Sequence, residues 1–475
     1  MSRKFNISVF VLVVLALLLA ACQPETIVET IVVTEVVTEI KEVVVTQEVE
    51  VVVTQEVEVV VTKEVEVIVE ATPVPGRCAP MSADDVETIK IGATVPQSAP
   101  GSVVGGLAMQ YAINIAEAEI NANGGILGKE VDVIFYDTAS LPERGTAAME
   151  YLITQECVVG VIGEYHSSAG VAMKEVAKKY HIPVVFAETW NDTITSVGYE
   201  EVFRIAPSSS IVAQVDANYL EALGLEYVVI VTENSDYGIP AAESTAEQLA
   251  KKGIESETYS ADMGTQDFAP VIARIQAGET PEAVLVLLTG ETSYNFEQQA
   301  AEAGLMPNED TICIANQVAI NSEEFWTNVP DGNYCSFRKV GLVPALANDV
   351  TIAFEEEYRK KFDRFPESYA LEAYDSMMIM ANAIENAGSL DPDAIIAALE
   401  ATDIVLAQGH YTFPYGTQNP VPDDQPDWMW HQWPDVAVLF LQYYEVGQSG
   451  DDAAVVWPPQ YQTHDTLLIP FGGTP

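Results

Sequence analysis

Positive charge is scarce in this chain of 475 residues. Only 21 lysines and arginines stand against 71 aspartates and glutamates, a formal net charge of −50. So anionic a surface repels phosphate backbones and acidic headgroups, which excludes nucleic acid and anionic membrane surfaces as partners. Charge of this kind speaks to solubility and not to fold. Catalytic signatures are missing as well: no GxxxxGK[ST], no GxSxG and no HExxH occurs. The histidines His166, His181, His410, His431 and His464 are scattered, and a lone histidine such as His166 reads as a surface or packing residue. No enzyme activity, metal or cofactor is implied.

Long apolar runs are also lacking. Val9 to Ala21 is apolar for 13 residues, too short to span a bilayer comfortably but right for a signal peptide behind Arg3 and Lys4. The run ends Leu19-Ala20-Ala21-Cys22, which looks like a lipobox. Residues 1–21 are therefore expected to be removed and Cys22 to carry the acyl chains. Those chains would anchor the protein stably to the outer face of the cell membrane. Cysteine is sparse, five in all. With Cys22 lipidated, an even four remain for an oxidising compartment, and no CxxC spacing suggests a metal. Cys313 and Cys335 flank one strand–helix–strand unit and are the favoured pair, leaving Cys78 with Cys157.

What is present begins with a repeat. Val43–Glu50 recurs as Val51–Glu58 and, with Lys63 for Gln, as Val59–Glu66. The period of eight is even, and Val alternates with Thr and Glu, which suits strands and not a heptad coil. Two readings stay open for residues 22–76. One is an extended stalk of about 45 residues, reaching on the order of 150 Å. The other is self-association through the Val face. Ala71-Thr-Pro-Val-Pro-Gly76 closes the segment as a linker.

The remaining ~400 residues exceed a single core, so two domains are expected. From Val86 onward, short β-branched runs alternate with helical patterns. The runs are Val158–Ile162, Val184–Ala187, Tyr227–Val231, Ala283–Leu288 and Thr311–Ala315. The helical patterns include Ala169–Tyr180, Ser210–Leu223, Ala241–Lys252, Phe268–Ala277 and Tyr294–Ala303. Continuous apolar strands are buried on both faces, and the alternation predicts an α/β fold of doubly wound parallel sheets. The first unit is the most legible. Strand Ile89–Ala93 leads through a polar turn, Gln97–Gly101, into a helix with Leu107, Tyr111, Ile115 and Ala118 on one face. Asn123-Gly124-Gly125 stops that helix, and a second strand, Val131–Tyr136, ends at Asp137. The first turn and helix start are expected to face a ligand crevice.

Ile89-Lys90-Ile91-Gly92, the run Ile120-Asn121-Ala122-Asn123-Gly124-Gly125-Ile126-Leu127-Gly128 and the pair Tyr136-Asp137 together resemble the first lobe of extracytoplasmic solute-binding proteins. The branch they resemble is the branched-chain amino-acid (Leu/Ile/Val-binding) type that serves ABC importers. The resemblance covers about Val86 to Tyr444. It implies the periplasmic-binding-protein type I fold: two lobes joined by three hinge crossings, with the ligand between them. Lobe one is expected at 86–206 plus 340–412, and lobe two at 207–339 plus 413–475. The crossings would lie near Ile205-Ala206-Pro207, Lys339–Gly341 and Tyr411–Pro414. The aromatic run Trp428–Trp433 is expected to pack on lobe two or to touch the cleft or a partner.

The resemblance also implies site residues. Ser167, with Ser168 beside it, matches a serine that binds a ligand carboxylate. Simple helix capping is the plainer reading of the same serines. Thr189 matches a threonine that meets the ligand's head group, while Glu188 and Trp190 depart from the usual small residues. Trp190 could stack on a flat or cationic ligand or cover a hinge. Tyr237 matches a tyrosine that closes over the ligand. Thr289-Gly290-Glu291-Thr292 follows a strand where the family lines its cleft, so Gly290 and Glu291 are candidates. Gln317 falls where amino-acid binders often place a glutamate for the ligand ammonium. Either Glu188 or Glu291 then supplies the counter-charge, or the ligand is not a standard α-amino acid.

The resemblance thus implies a lipid-anchored protein, monomeric in its binding domain. It would capture a small polar solute and pass it to an ABC permease. The alternative is a ligand-sensing lipoprotein that signals to a membrane receptor. An exported hydrolase is the weakest reading.

Overall fold

A computed structural model describes residues 26–40, 56–70, 76–78, 82–316, 325–326, 329, 332, 335–341, 346–448 and 452–464. Cys22, the signal segment and Gln317 lie outside the described residues. Among the described residues, no helix is long and apolar enough to cross a membrane. The chain divides into two compact units, Met1–Gly76 and Arg77–Pro475.

In the first unit, β1 (Thr26–Ile40) pairs antiparallel with β2 (Glu56–Glu70), from Thr26 against Glu70 to Ile40 against Glu56. Of the repeat, Glu56–Glu66 lies on β2 and is strand, as its even period predicts, and Val43–Gln55 lies outside the described residues. The unit doubles back, however, so each arm of 15 residues spans only about 50 Å.

The second unit is built on two sheets. The first begins with β3 (Thr88–Val95), α1 (Val103–Ala122), β4 (Glu130–Asp137) and α2 (Pro142–Tyr151). It continues with β5 (Val161–Gly163), α3 (Ser167–Tyr180), β6 (Val184–Phe186) and β7 (Val202–Arg204). Its strands are all parallel in the order β4-β3-β5-β6-β7. The chain then runs through α4 (Ser209–Ala222), β8 (Tyr227–Glu233), α5 (Gly238–Lys252), β9 (Glu255–Ala261) and α6 (Ala269–Gln276). After these come β10 (Ala283–Leu287), α7 (Gly290–Glu302), β11 (Ile312–Ala315) and β12 (Cys335–Val340). Those five strands are parallel.

Helices α8 (Asp349–Phe362), α9 (Ser368–Ala387) and α10 (Pro392–Glu400) return to the first sheet, where α9 packs on α1 and β5. A hairpin follows, β13 (Asp403–Leu406) with β14 (Gly409–Thr412). Then β15 (Val438–Gln442) and β16 (Ala454–Trp457) add antiparallel strands to the second sheet, in the order β16-β15-β12-β11-β10-β8-β9. Each sheet with its helices is a lobe. Parallel strands β5, β6, β10 and β11 are buried along their whole length, as their uninterrupted apolar runs require.

Local chemistry explains the first unit's motif. Asn121 clamps β4 with its amide, donating to the Val131 carbonyl at 2.9 Å and accepting from the Val131 N–H at 2.8 Å. Gly125, at φ +77°, would set a Cβ 1.7 Å from the Lys129 carbonyl oxygen, so only glycine fits. Asp137 accepts from Gln97 N, Ala139 N, Ser98 Oγ and Arg144, and so fixes the first turn. The helix face needs correction: Ala118 is exposed, and Leu107 and Tyr111 are half-buried. The deeper stripe is Ala108, Met109, Ala112, Ile113, Ile115 and Ala116, because α1 is covered by α9 as well as by the sheet. Tyr111 stacks instead on Phe362, at 4.1 Å.

The aromatic segment also sits elsewhere than on lobe two. Arg204 bridges to Gln432 in parallel, the Thr195 hydroxyl donates to the Trp428 carbonyl, and Trp430 Nε1 donates to the Tyr199 carbonyl. Segment 428–433 therefore edges the first sheet beyond β7. The chain joins the second sheet at Val438, past the expected crossing at Tyr411–Pro414. Two disulfides staple the unit, Cys78–Cys157 and Cys313–Cys335. The latter joins residues directly opposite each other on β11 and β12.

Candidate functional site

The carboxyl ends of the strands in both sheets meet across a cleft, the place where open α/β sheets bind ligands. A cavity lies there, lined by Tyr165, His166, Ser167, Glu188, Trp190, Tyr237, Thr289 and Asn316. The first three follow β5, Glu188 and Trp190 follow β6, and the last three follow β8, β10 and β11. Both lobes thus contribute walls.

The lobes are latched together at this cleft. His166 heads α3 and accepts from Ser168 N through Nδ1, at 3.2 Å. Its proton is therefore on Nε2, which donates to Glu233 Oε1 at 2.7 Å from the other lobe. Glu233 also accepts from the Ser235 hydroxyl (2.7 Å), Thr289 N (3.0 Å) and the Thr289 hydroxyl (2.6 Å). Burial alone would raise its pKa. His166 and the hydroxyls outweigh that and hold the carboxyl below its ordinary value. Further bridges run from Asp236 N to Ser168 Oγ (3.1 Å) and from Asn191 Nδ2 to the Asp236 carbonyl. Glu291 accepts from Val104 N at the start of α1, at 3.2 Å.

The expected residues distribute unevenly around the cavity. Ser167, Glu188, Trp190 and Tyr237 line it. Ser167 is not the helix cap; His166 is. The Ser167 hydroxyl instead accepts from Trp190 N and Asn191 N, both at 3.1 Å, and ties the β6 turn to α3. Ser168 sits just behind, in the bridge to Asp236. Thr189 is fully buried but does not line the cavity; its methyl packs against Gly170 of α3. Gly290, at φ +52°, presses on Ser102, where an added Cβ would lie 2.6 Å from the Ser102 Cβ. Gly290 and Glu291 therefore belong to the seam between lobes and not to the lining. The first turn, Gln97–Gly101, also lies outside the lining.

Tyr165, His166 and Asn316 are lining residues that sequence reasoning did not offer as ligand groups, Thr289 lines the cavity within the run expected to do so, and His166 is buried, which fits packing and not the surface. Their common signal is position: each lies within four residues of a buried strand's carboxyl end.

Behind the lining lie buried charges. Arg204 donates to Gln432 Oε1 (2.5 Å), the Asn191 carbonyl (2.6 Å), the Thr189 carbonyl (3.5 Å) and the Thr195 hydroxyl (3.2 Å). It holds the turn that carries Trp190. Arg338 pairs bidentately with Asp216, at 3.0 and 2.6 Å. Glu372 is buried beside Glu188. Burial, then the Glu188 charge, pushes the Glu372 carboxyl well above the ordinary range.

The sequence model described as periplasmic binding protein matches residues 88–421. The Leu/Ile/Val-binding protein homolog 7 of Brucella abortus is 26% identical over 380 residues, covering 75% of this chain and 91% of its own length. An "amino acid binding protein" of Pseudomonas aeruginosa is 25% identical over 342 residues, covering 69% of this chain and 87% of its own. The solved structure of LivJ, a branched-chain amino acid transporter substrate binding protein of Streptococcus pneumoniae, was determined in complex with isoleucine. It superposes with a TM-score of 0.65 at 25% identity, over 78% of this chain and 100% of that one.

Proposed function

The chain belongs to the periplasmic binding protein family, and from that premise we propose that it captures one small polar solute, an amino acid or a related compound, for an ABC importer. The observation that carries this reading is the cavity whose walls come from the strand ends of both lobes. Opening the seam would expose those walls, and closing it would exclude water from a bound solute. The names of the relatives support the amino-acid class, and the structural likeness to an isoleucine complex supports the mode of capture. Ser167, Glu188, Trp190 and Tyr237 are the groups proposed to meet the solute. Thr189, Ser168, Gly290 and Glu291 would support the turns and the seam around them.

In the same proposal, residues 1–21 are a signal peptide and Cys22 carries the lipid anchor, so that capture occurs outside the membrane beside a permease. Lobe one is 86–206 plus 340 to about 433, and lobe two is 207–339 plus the remainder. This assignment follows the return of the chain to the second sheet at Val438.

Titration with the standard amino acids, simple amines and amides, followed by tryptophan fluorescence, tests the reading. One compound should saturate at one site per chain, and Tyr237→Ala should speed its dissociation. Absence of saturable binding by every compound would overturn it.

A further inference from the structure

We propose that the cavity selects an organic cation, a primary amine or a quaternary ammonium, over a carboxylate-bearing amino acid; this rests on the solute-binding reading above. Among the described residues, the lining contains no lysine or arginine. The nearby guanidinium groups are engaged elsewhere: Arg204 on Gln432, Thr195 and two turn carbonyls, and Arg338 on Asp216 and Asn316. Several backbone N–H groups that could cradle an anion are committed as well. Trp190 N and Asn191 N donate to Ser167 Oγ, Ser168 N to His166 Nδ1, and Thr289 N to Glu233. Of the lining side-chain nitrogens, His166 Nε2 is held by Glu233 and Asn316 Nδ2 by the Leu288 carbonyl. Trp190 Nε1, buried on the wall, has no partner among the described residues. One neutral N–H suits a hydroxyl or carbonyl, whereas a carboxylate offers two oxygens that each seek donors.

What the wall does offer suits a cation. The rings of Tyr165, Trp190 and Tyr237 border the space, with Trp190 and Tyr237 edge to face at 5.9 Å and 84°. Aromatic faces attract a desolvated ammonium, more strongly where water is excluded. Glu188 shares that wall. Behind it, burial and then the Glu188 charge push the Glu372 carboxyl well above the ordinary range. An ammonium in the cavity would meet that charge with the rings around it, and its hydroxyl or carbonyl, where present, would take the Trp190 N–H.

Calorimetric titration of the full chain with choline, 2-methylbutylamine, isoleucine and 3-methylpentanoate tests the inference. The last three share one sec-butyl group and differ in charge. At least one of the two cations should bind at one site, roughly tenfold or more tighter than isoleucine, and 3-methylpentanoate should not bind. Glu188→Gln should weaken the cation by about tenfold or more, a change of 1.4 kcal/mol. A melting curve of that variant reports its folding, and the wild-type ranking decides without it. Tighter binding of isoleucine or 3-methylpentanoate would overturn the cation and leave solute capture standing. So would a cation affinity unchanged in Glu188→Gln, or no cation binding at millimolar concentration. Failure of all four probes, with no solute released from the denatured protein, would remove both readings.

Discussion

Glu233→Gln is the sharpest test of the latch between lobes. Both carboxylate oxygens of Glu233 accept two hydrogen bonds each, from His166 and Ser235 on one and from the N–H and hydroxyl of Thr289 on the other. A glutamine must put an NH₂ group where one oxygen was. On one side it would face the His166 Nε2–H, on the other the Thr289 N–H. The histidine cannot relieve the clash by changing tautomer, because Nδ1 is held as an acceptor by Ser168 N. Hydroxyls can turn, but a buried N–H loses its partner either way. A hydrogen bond to a charged group contributes about 1.5–3 kcal/mol, and a buried donor left unpaired costs about 1–3 kcal/mol. The expected loss is about 3 kcal/mol, or roughly 6–12 °C in melting temperature for lobes of this size. Because His166 and Glu233 belong to different lobes, bound solute should also leave faster. Thermal melting and stopped-flow release measure the two effects. A variant with wild-type melting temperature and wild-type release would refute the latch.

Ser167→Ala removes the acceptor of two buried N–H groups, each costing about 1–3 kcal/mol when left unpaired. It should lower stability and loosen the Trp190 turn, both visible in melting and fluorescence. Replacing Cys313 and Cys335 together by alanine opens a link across 22 residues and should cost about 2–4 kcal/mol. Denaturant titration measures that cost, and non-reducing peptide mapping of the native protein should recover both bridges. Stability should fall as pH rises from 5 to 8. Burial lifts the carboxyls of Glu164, Glu297 and Asp375 to about 7, so the folded chain holds protons that the unfolded chain releases near pH 4. Their contribution is complete below that point and is lost as pH climbs through 7. A melting temperature that stays level or rises over this range would contradict the assignment.

The fold was legible because its strands are continuous β-branched runs, a pattern that only burial on both faces produces. Asn121 to Gly125 was legible for a different reason: few residues can clamp Val131 and pass within reach of the Lys129 carbonyl. The third crossing was misplaced because Trp428–Trp433 carries no period. Its place is set by Arg204 and Gln432, which are distant in sequence. Trp190, Tyr237, Glu188 and Ser167 could be found from strand ends and resemblance. The tautomer of His166, the four donors on Glu233 and the burial of Glu372 beside Glu188 are tertiary facts with no local signature. Gly290 and Glu291 read as lining because they follow β10, yet the close approach of Ser102 turns them to the seam.

Native mass spectrometry of the purified full chain tests solute capture most directly. The account predicts one small molecule per chain, as purified or after incubation with the small-molecule fraction of a cell lysate. It should be released on denaturation and retained poorly by Trp190→Ala and Tyr237→Ala. A wild-type chain that takes up no small molecule under either condition, or one that both variants hold as tightly as the wild type, would contradict it.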